Sequence, residues 1–251
     1  MKKISICVIL MVACTLSSCV DIVERYNFKA NGTCDVIYDF DMSKAVAVLH
    51  NLLSDSVAAT PQFAMAKDTV MNLYSALPDS TQNKMSEEEV KLAQGSNLAI
   101  NMNLKRNLMN VSIRHEANSP SELEYYLQRM SKLANYEQEG SKRGTLNMFN
   151  AQQLIAGQDC YAYQVTNTKF IRLIDKAKFN KFLKKTQSTF AMAKAMLIET
   201  PYKVVLNFAR PVKKIDNKKA VLSADRKQVT LKTNMDELIK NPNLMNIEID
   251  F

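Results

Sequence analysis

The sequence predicts an α+β fold: a largely antiparallel sheet built from successive β-hairpin–helix units, with helices packed on one face. Three observations carry this. Apolar residues alternate with polar ones in separated short segments, the period of strands with one dry and one wet face. Helical stripes of 3.6-residue period, each opened by a capping residue, follow several of these segments. Only 5 Gly and 6 Pro occur in 251 residues, too few for a turn-dense all-β sandwich or glycine-rich phosphate loops.

Taken in order, Tyr26-Asn27-Phe28 leads to Asn31-Gly32 and then to Cys34 through Phe40. Asn-Gly between alternating segments marks a hairpin, because both residues tolerate positive φ. Cys34, Val36, Tyr38 and Phe40 share one face, and Asp35, Asp39 and Asp41 the other. The three aspartates lack the oxygen-dense loop of a calcium site and read as a solvated strand face. Ser43 is the expected cap of a helix through Val46, Leu49 and Leu53. Residues 54–97 read as helical, with Ala64 to Leu77 one helix carrying Val70, Leu73 and Leu77. Ser86-Glu87-Glu88-Glu89 opens another with the form of a capping box. Leu98–Leu104 and Met109–Ile113 alternate as a second hairpin, turning at Lys105-Arg106-Asn107. Ser119-Pro120-Ser121-Glu122 then starts a helix striped by Leu123, Tyr126, Leu127 and Met130. After a connection at 137–157, a third hairpin turns at Thr166-Asn167-Thr168. Asp175 caps a long helix to Glu199. Tyr202–Phe208, Val229–Leu231 and Ile247–Phe251 are further strands, with a short helix capped by Asn234.

At the N-terminus, Lys2 and Lys3 precede an apolar run, Ile4 to Leu16, too short to span a bilayer as a helix. It ends in Leu16-Ser17-Ser18-Cys19, which resembles the cleavage and lipidation box of a bacterial lipoprotein. The resemblance implies removal of residues 1–18 and lipidation of Cys19. The alternating segments imply a single compound domain over 19–251 rather than two, and a strand pattern begins so soon after Cys19 that no long tether is expected. The tail around Asp225-Arg226-Lys227 resembles Bacteroidota envelope lipoproteins, which implies a location and no ligand. No acidic cluster follows Cys19, so the expected place is the outer membrane, facing the periplasm. Cys34 and Cys160 remain in the mature chain, and an oxidising compartment makes them disulfide candidates. The alternative is two buried thiols acting as small apolar residues. Asp55-Ser56-Val57, Asp68-Thr69-Val70 and Asp79-Ser80-Thr81 match a loose pattern resembling Bacteroidota O-glycosylation sites. This makes Ser56, Thr69 and Ser80 candidates.

The formal net charge is +8, and it concentrates between Lys169 and Lys232, where Asp175, Glu199, Asp216 and Asp225 are the only acids. An exported protein without aromatic-interleaved basic motifs gives no reason to invoke nucleic acid. Anionic lipid or an acidic envelope protein fits better. On the long helix, Lys181, Lys184 and Lys185 oppose an apolar stripe, while Met192 and Met196 take the side where charge is expected. These five are the candidate partner or membrane contacts.

No G-x-S-x-G, S-x-x-K, H-E-x-x-H or C-x-x-C occurs. His50 and His115 have no partners at metal or acid–base spacing. The sequence therefore points to no catalytic residue, no metal and no cofactor. The expected function is a non-enzymatic, lipid-anchored envelope protein that binds a partner or apolar ligand. The alternatives are a structural accessory subunit of an envelope assembly, or a hydrolase with an unrecognised site.

Overall fold

The computed structural model describes residues 20–54, 60–61, 64–135, 159–195 and 200–251; for 130–135, 188–190 and 192–193 it describes the backbone alone. The chain opens with strands β1 (Asp21–Phe28) and β2 (Cys34–Asp41) and helix α1 (Ser43–Leu52). Next come β3 (Ala66–Asn72), the short helices α2 (Leu73–Ala76) and α3 (Asp79–Gln82), and α4 (Glu87–Gln94). Then follow β4 (Ser96–Asn103), β5 (Leu108–Ala117), α5 (Pro120–Asn135), β6 (Tyr161–Val165), β7 (Lys169–Ile174) and α6 (Lys176–Ala195). The chain closes with β8 (Pro201–Phe208), β9 (Lys214–Ile215), β10 (Val221–Leu222), β11 (Gln228–Asn234), α7 (Met235–Lys240), a 3₁₀ turn (Pro242–Met245) and β12 (Ile247–Asp250).

The strands form two sheets rather than one. The larger has eight strands in the order β10-β11-β8-β1-β2-β5-β4-β3, and the smaller has the order β6-β7-β12-β9. Every pair is antiparallel except β1 with β8. A parallel neighbour needs a long connection, and the whole chain between β1 and β8 supplies it. The large sheet is dry on one face, where Tyr26, Val36, Tyr38, Phe40, Ile113, Val204, Leu206 and Leu231 are buried. The small sheet covers the β1–β8 half of that face, with the Phe170 ring 5.4 Å from Tyr26 and 5.7 Å from Phe28. Helices α4 and α5 cover the β4–β5 half, bringing Leu92, Ala93, Leu123 and Leu127 into the core. The opposite face is polar: amides chain from Gln228 to Asn207 to Asn27 at 2.8 and 2.7 Å.

Caps and turns explain many boundaries. Gly32 takes φ +87° in the first hairpin turn, closed by Lys29 N–H donating to Thr33 O at 2.9 Å. Ser86 and Glu89 form the reciprocal capping box, and the Asp175 carboxylate accepts from the N–H groups of Ala177 and Lys178. Two local expectations are overturned. Ala66–Asn72 is not helical but pairs with β4 along its whole length, Thr69 opposite Ile100 and Met71 opposite Leu98. These residues carry no apolar alternation, and Val70 of the helical stripe is 71% exposed; the unpaired edge of β4 selects the strand. Ser43 does not cap α1; its hydroxyl accepts from Met109 N–H at 3.0 Å, fastening the helix start to β5.

Register sorts the connections into two poles. At the pole where β1 begins, Asp21 lies opposite Asp41, Asp41 opposite Asn110, Ile22 opposite Tyr202 and Pro201 opposite Asn234. The starts of α1 and α7 and the turn at 104–107 therefore lie at this pole. The turns at 29–33, 166–168 and 223–227 lie at the far pole, roughly 25 Å away at about 3.3 Å per strand residue.

Between the sheets lies a closed ionic cluster. Glu24 of β1 and Arg172 of β7 are both 0% exposed. Arg172 Nη1 donates to Glu24 Oε2 at 2.9 Å, Tyr26 OH donates to the same oxygen at 2.9 Å, and Tyr202 OH donates to Glu24 Oε1. Arg172 Nη2 donates to Tyr202 OH at 2.6 Å, and the guanidinium lies 3.6 Å over the Tyr161 ring. Burial disfavours the Arg172 charge, and the Glu24 carboxylate together with Tyr163, Tyr202 and Tyr161 more than offsets this, so the guanidinium's pKa stands well above its ordinary value. Removing one ion should leave the other buried and unpaired. Arg172→Met is expected to cost about 3–5 kcal/mol, and adding Glu24→Leu should recover at least about half of that. Urea unfolding of the single and double variants reads the difference.

Candidate functional site

The predicted site residues do not converge. Cys19, Ser56 and Met196 lie outside the described residues, as does the Met192 side chain. Lys181, Lys184 and Lys185 are exposed on α6. Thr69 is half-buried on β3, beside Ile100, whereas Ser80 is exposed on α3. Asp35 meets Lys29 at 3.3 Å and Arg114 at 3.5 Å, and Asp39 accepts from Asn110 at 2.9 Å, so these strand carboxylates already have partners. Among the described residues, no group of three or more His, Cys, Asp or Glu could hold a metal ion.

The expected disulfide between Cys34 and Cys160 is not formed; both are free and buried. Register gives the reason. Cys34 pairs with Phe28 and Ala117 at the far pole. Cys160 precedes Tyr161, which pairs with Ile174 at the other pole. Burial pushes each thiol up to about 12, so neither is a ready nucleophile.

One buried cluster has the composition of a catalytic triad. Ser96 Oγ lies 3.1 Å from His115 Nδ1, and His115 Nε2 lies 3.9 Å from Glu122 Oε1. Its polarity is wrong for nucleophilic catalysis. Ser96 donates its proton to Leu92 O at 2.7 Å and so accepts from His115 Nδ1–H. A serine nucleophile must donate to its histidine. Ser96 is 0% exposed, and His115 stacks on Tyr126 with centroids 3.8 Å apart. The histidine holds α5 against β5.

A cleft of about 310 Å³ lies at the far pole. It lies among the β1–β2 turn, the β6–β7 turn at Thr166–Asn167, and Ala209–Arg210 after β8. The packing of Phe28, Phe208 and Phe251, with centroids 4.5–5.2 Å apart, builds its apolar wall from Phe28 and Phe251. Asn31 Oδ1 accepts from Thr33 N–H and Oγ1–H, which fixes the turn bordering the wall. Two cations line the cleft. Lys29 is held by Glu116 at 2.7 Å and Asp35 at 3.3 Å. Arg210 is exposed, and no side chain among the described residues pairs with it. Among the described residues, no histidine, cysteine, aspartate or glutamate side chain lines the cleft; its lining offers two cations, amides and aromatic rings as binding groups. Sequence reading missed it because its residues come from turns distant in the chain; Asn31-Gly32 and Thr166-Asn167 each carried a turn signal, but nothing local brought them together.

No family model, curated protein or solved structure matches the chain.

Burial holds the His115 pKa below its ordinary value of 6.5, and the Glu122 carboxylate offsets part of this. The unfolded chain then binds a proton at higher pH than the folded one. Stability contributed by neutral His115 should be present above about pH 6.5 and lost as pH falls below it. His115→Phe, which keeps a ring on Tyr126, should flatten that part of a pH–stability profile measured by urea unfolding. For the thiols, alkylation after denaturation without reductant should label both Cys34 and Cys160.

Proposed function

We propose that this chain is a non-enzymatic, lipid-anchored binding protein of the bacterial envelope. Cys19 carries the anchor, at the outer membrane and facing the periplasm. The far-pole cleft receives a small amphipathic anion, or the acidic end of a larger partner. The observation that carries this reading is the exposed Arg210 guanidinium, with which no side chain among the described residues pairs, beside the Phe28–Phe251 wall. A ring or short chain bearing one acid group matches that lining better than a wholly apolar ligand, because the opposite side of the cleft is polar turn. The non-enzymatic reading is favoured over a hydrolase by the hydrogen bond at Ser96, which runs from His115 to the serine. Of the glycosylation candidates with described side chains, exposed Ser80 is the accessible one. The hairpins β1–β2, β4–β5 and β6–β7, each followed by a helix, are consistent with assembly from repeated hairpin–helix units.

Naphthalene-2-sulfonate is a suitable probe, with the acid group and ring that the cleft would take. Arg210→Glu should weaken its binding about tenfold or more, since a charge-assisted hydrogen bond is replaced by repulsion. Lys227→Glu at the neighbouring turn should leave it nearly unchanged. NMR titration of the two variants against the parent protein checks this, and equal affinities would remove the cleft as the site. For the anchor, Cys19→Ala should move the protein out of the membrane fraction or block its processing.

A further inference from the structure

We propose that the pole where β1 begins is a basic docking face for an anionic bilayer, with α6 lying along the lipid headgroups. This rests on the Cys19 anchor, and it adds an orientation that the anchor alone does not give.

The argument starts from connectivity. β7 ends at Ile174 opposite Tyr161, on the same side as Cys160, and α6 starts two residues later. β8 begins at Pro201, with Tyr202 beside Ile22. Both ends of the α6 connection are therefore at the pole from which residues before Asp21 emerge. At 1.5 Å per residue, α6 is about 30 Å long. The chain from Ala195 to Pro201 spans at most roughly 20 Å. A helix climbing the full height of the sheet could not return to β8 over that distance. So α6 stays near this pole, and only Phe179, Phe182, Leu183 and Thr186 among its described side chains are drawn out of full exposure. Lys181, Lys184 and Lys185 point to solvent.

A second element brings charge to the same place. Asn103 lies opposite Leu108 and Asn101 opposite Asn110, which sets the turn carrying exposed Lys105 and Arg106 at this pole. Among the described residues no acid pairs with these five cations, whereas most acids nearby are engaged. Asp21 meets Lys44 at 3.7 Å, Asp41 accepts from Ser43 N–H, Asp159 meets Lys178 at 3.5 Å and Glu237 meets Lys219 at 2.8 Å. Asp68 and Asp236 are the exposed exceptions. The net field at this end is thus positive, and an anchor two residues before β1 would hold it within a Debye length, about 8–10 Å, of the headgroups. The occupant this selects is the anionic bilayer surface, because the anchor brings the membrane to that pole whatever else binds.

The test uses the lipidated protein, extracted in detergent and reconstituted into phosphatidylcholine vesicles with or without phosphatidylglycerol. Exposed lysines are acetylated by a water-soluble reagent and read by peptide mass spectrometry. Lys105, Lys181, Lys184 and Lys185 should react about threefold or more slowly on the anionic vesicles, and high salt should restore their rates. Lys227, at the far pole, should react equally on both. A protein carrying Lys181→Glu, Lys184→Glu and Lys185→Glu, all at exposed positions, should lose the protection of Lys105. Equal rates on both vesicle types, with the protein floating on both, would overturn the docking face and leave the anchor standing. Failure to float with phosphatidylcholine would remove the anchor reading alone. The docking face is then judged on the anionic vesicles, where flotation with lysine protection upholds it and loss of either overturns it.

Discussion

Two sheets of different size face each other in this protein, and a single buried ion pair lies between them. Glu24 belongs to the centre of the large sheet and Arg172 to the centre of the small one. Burying either alone would cost several kcal/mol. Their pairing is favourable only because Tyr26 and Tyr202 donate to the carboxylate and Tyr161 stacks on the guanidinium. Burial pushes the pKa of Tyr26 and Tyr202 well above the ordinary phenol value, which keeps both as donors. The cluster therefore admits one relative placement of the sheets. An apolar interface would tolerate sliding by a residue pair, whereas this one would strand a charge.

That fixed placement is what makes the far-pole cleft. Its walls come from the β1–β2 turn on one sheet and the β6–β7 turn on the other, and Gly32 and Asn167 meet there with an ideal Cβ on Gly32 only 3.6 Å from Asn167 Oδ1. The Phe28, Phe208 and Phe251 rings stack across the same junction. Nothing in the cleft is built by a single hairpin, so its shape depends on the register that the ion pair imposes. The other half of the large sheet is held differently, through His115 against Tyr126 and the caps of α4 and α5.

The two poles divide the labour in the proposed reading. Connections gathered where β1 begins carry cations that no acid among the described residues pairs, and turns at the opposite end carry the cleft. Because the strands run from one pole to the other, the sheet acts as a spacer roughly 25 Å long. A ligand at Arg210 would then be met well clear of the headgroups that the lysines of α6 face.

The alternation in Cys34–Phe40 and Met109–Ile113, the Asn31-Gly32 turn and the Ser86–Glu89 capping box were legible in the sequence, because each depends on neighbours within a few residues. So was the coarse α+β class. Local pattern misled at Ala66–Asn72, where the residues suggest a helical stripe and only the free edge of β4 selects the strand. Nor could it divide the strands into two sheets, since the β1–β8 pairing joins residues about 180 positions apart. Composition marked Cys34 and Cys160 as possible partners; the register separated them by the length of a strand. Glu24 and Arg172 drew no notice in the sequence, as one charged residue among alternating neighbours reads as solvent-facing. By itself the sequence determined most of the hairpins and helix caps, and at Cys19 it carries a resemblance to a lipoprotein box. The tertiary structure decided which charges are buried in pairs, which are left free, and at which end of the molecule each lies, because those outcomes depend on contacts that chain distance does not encode.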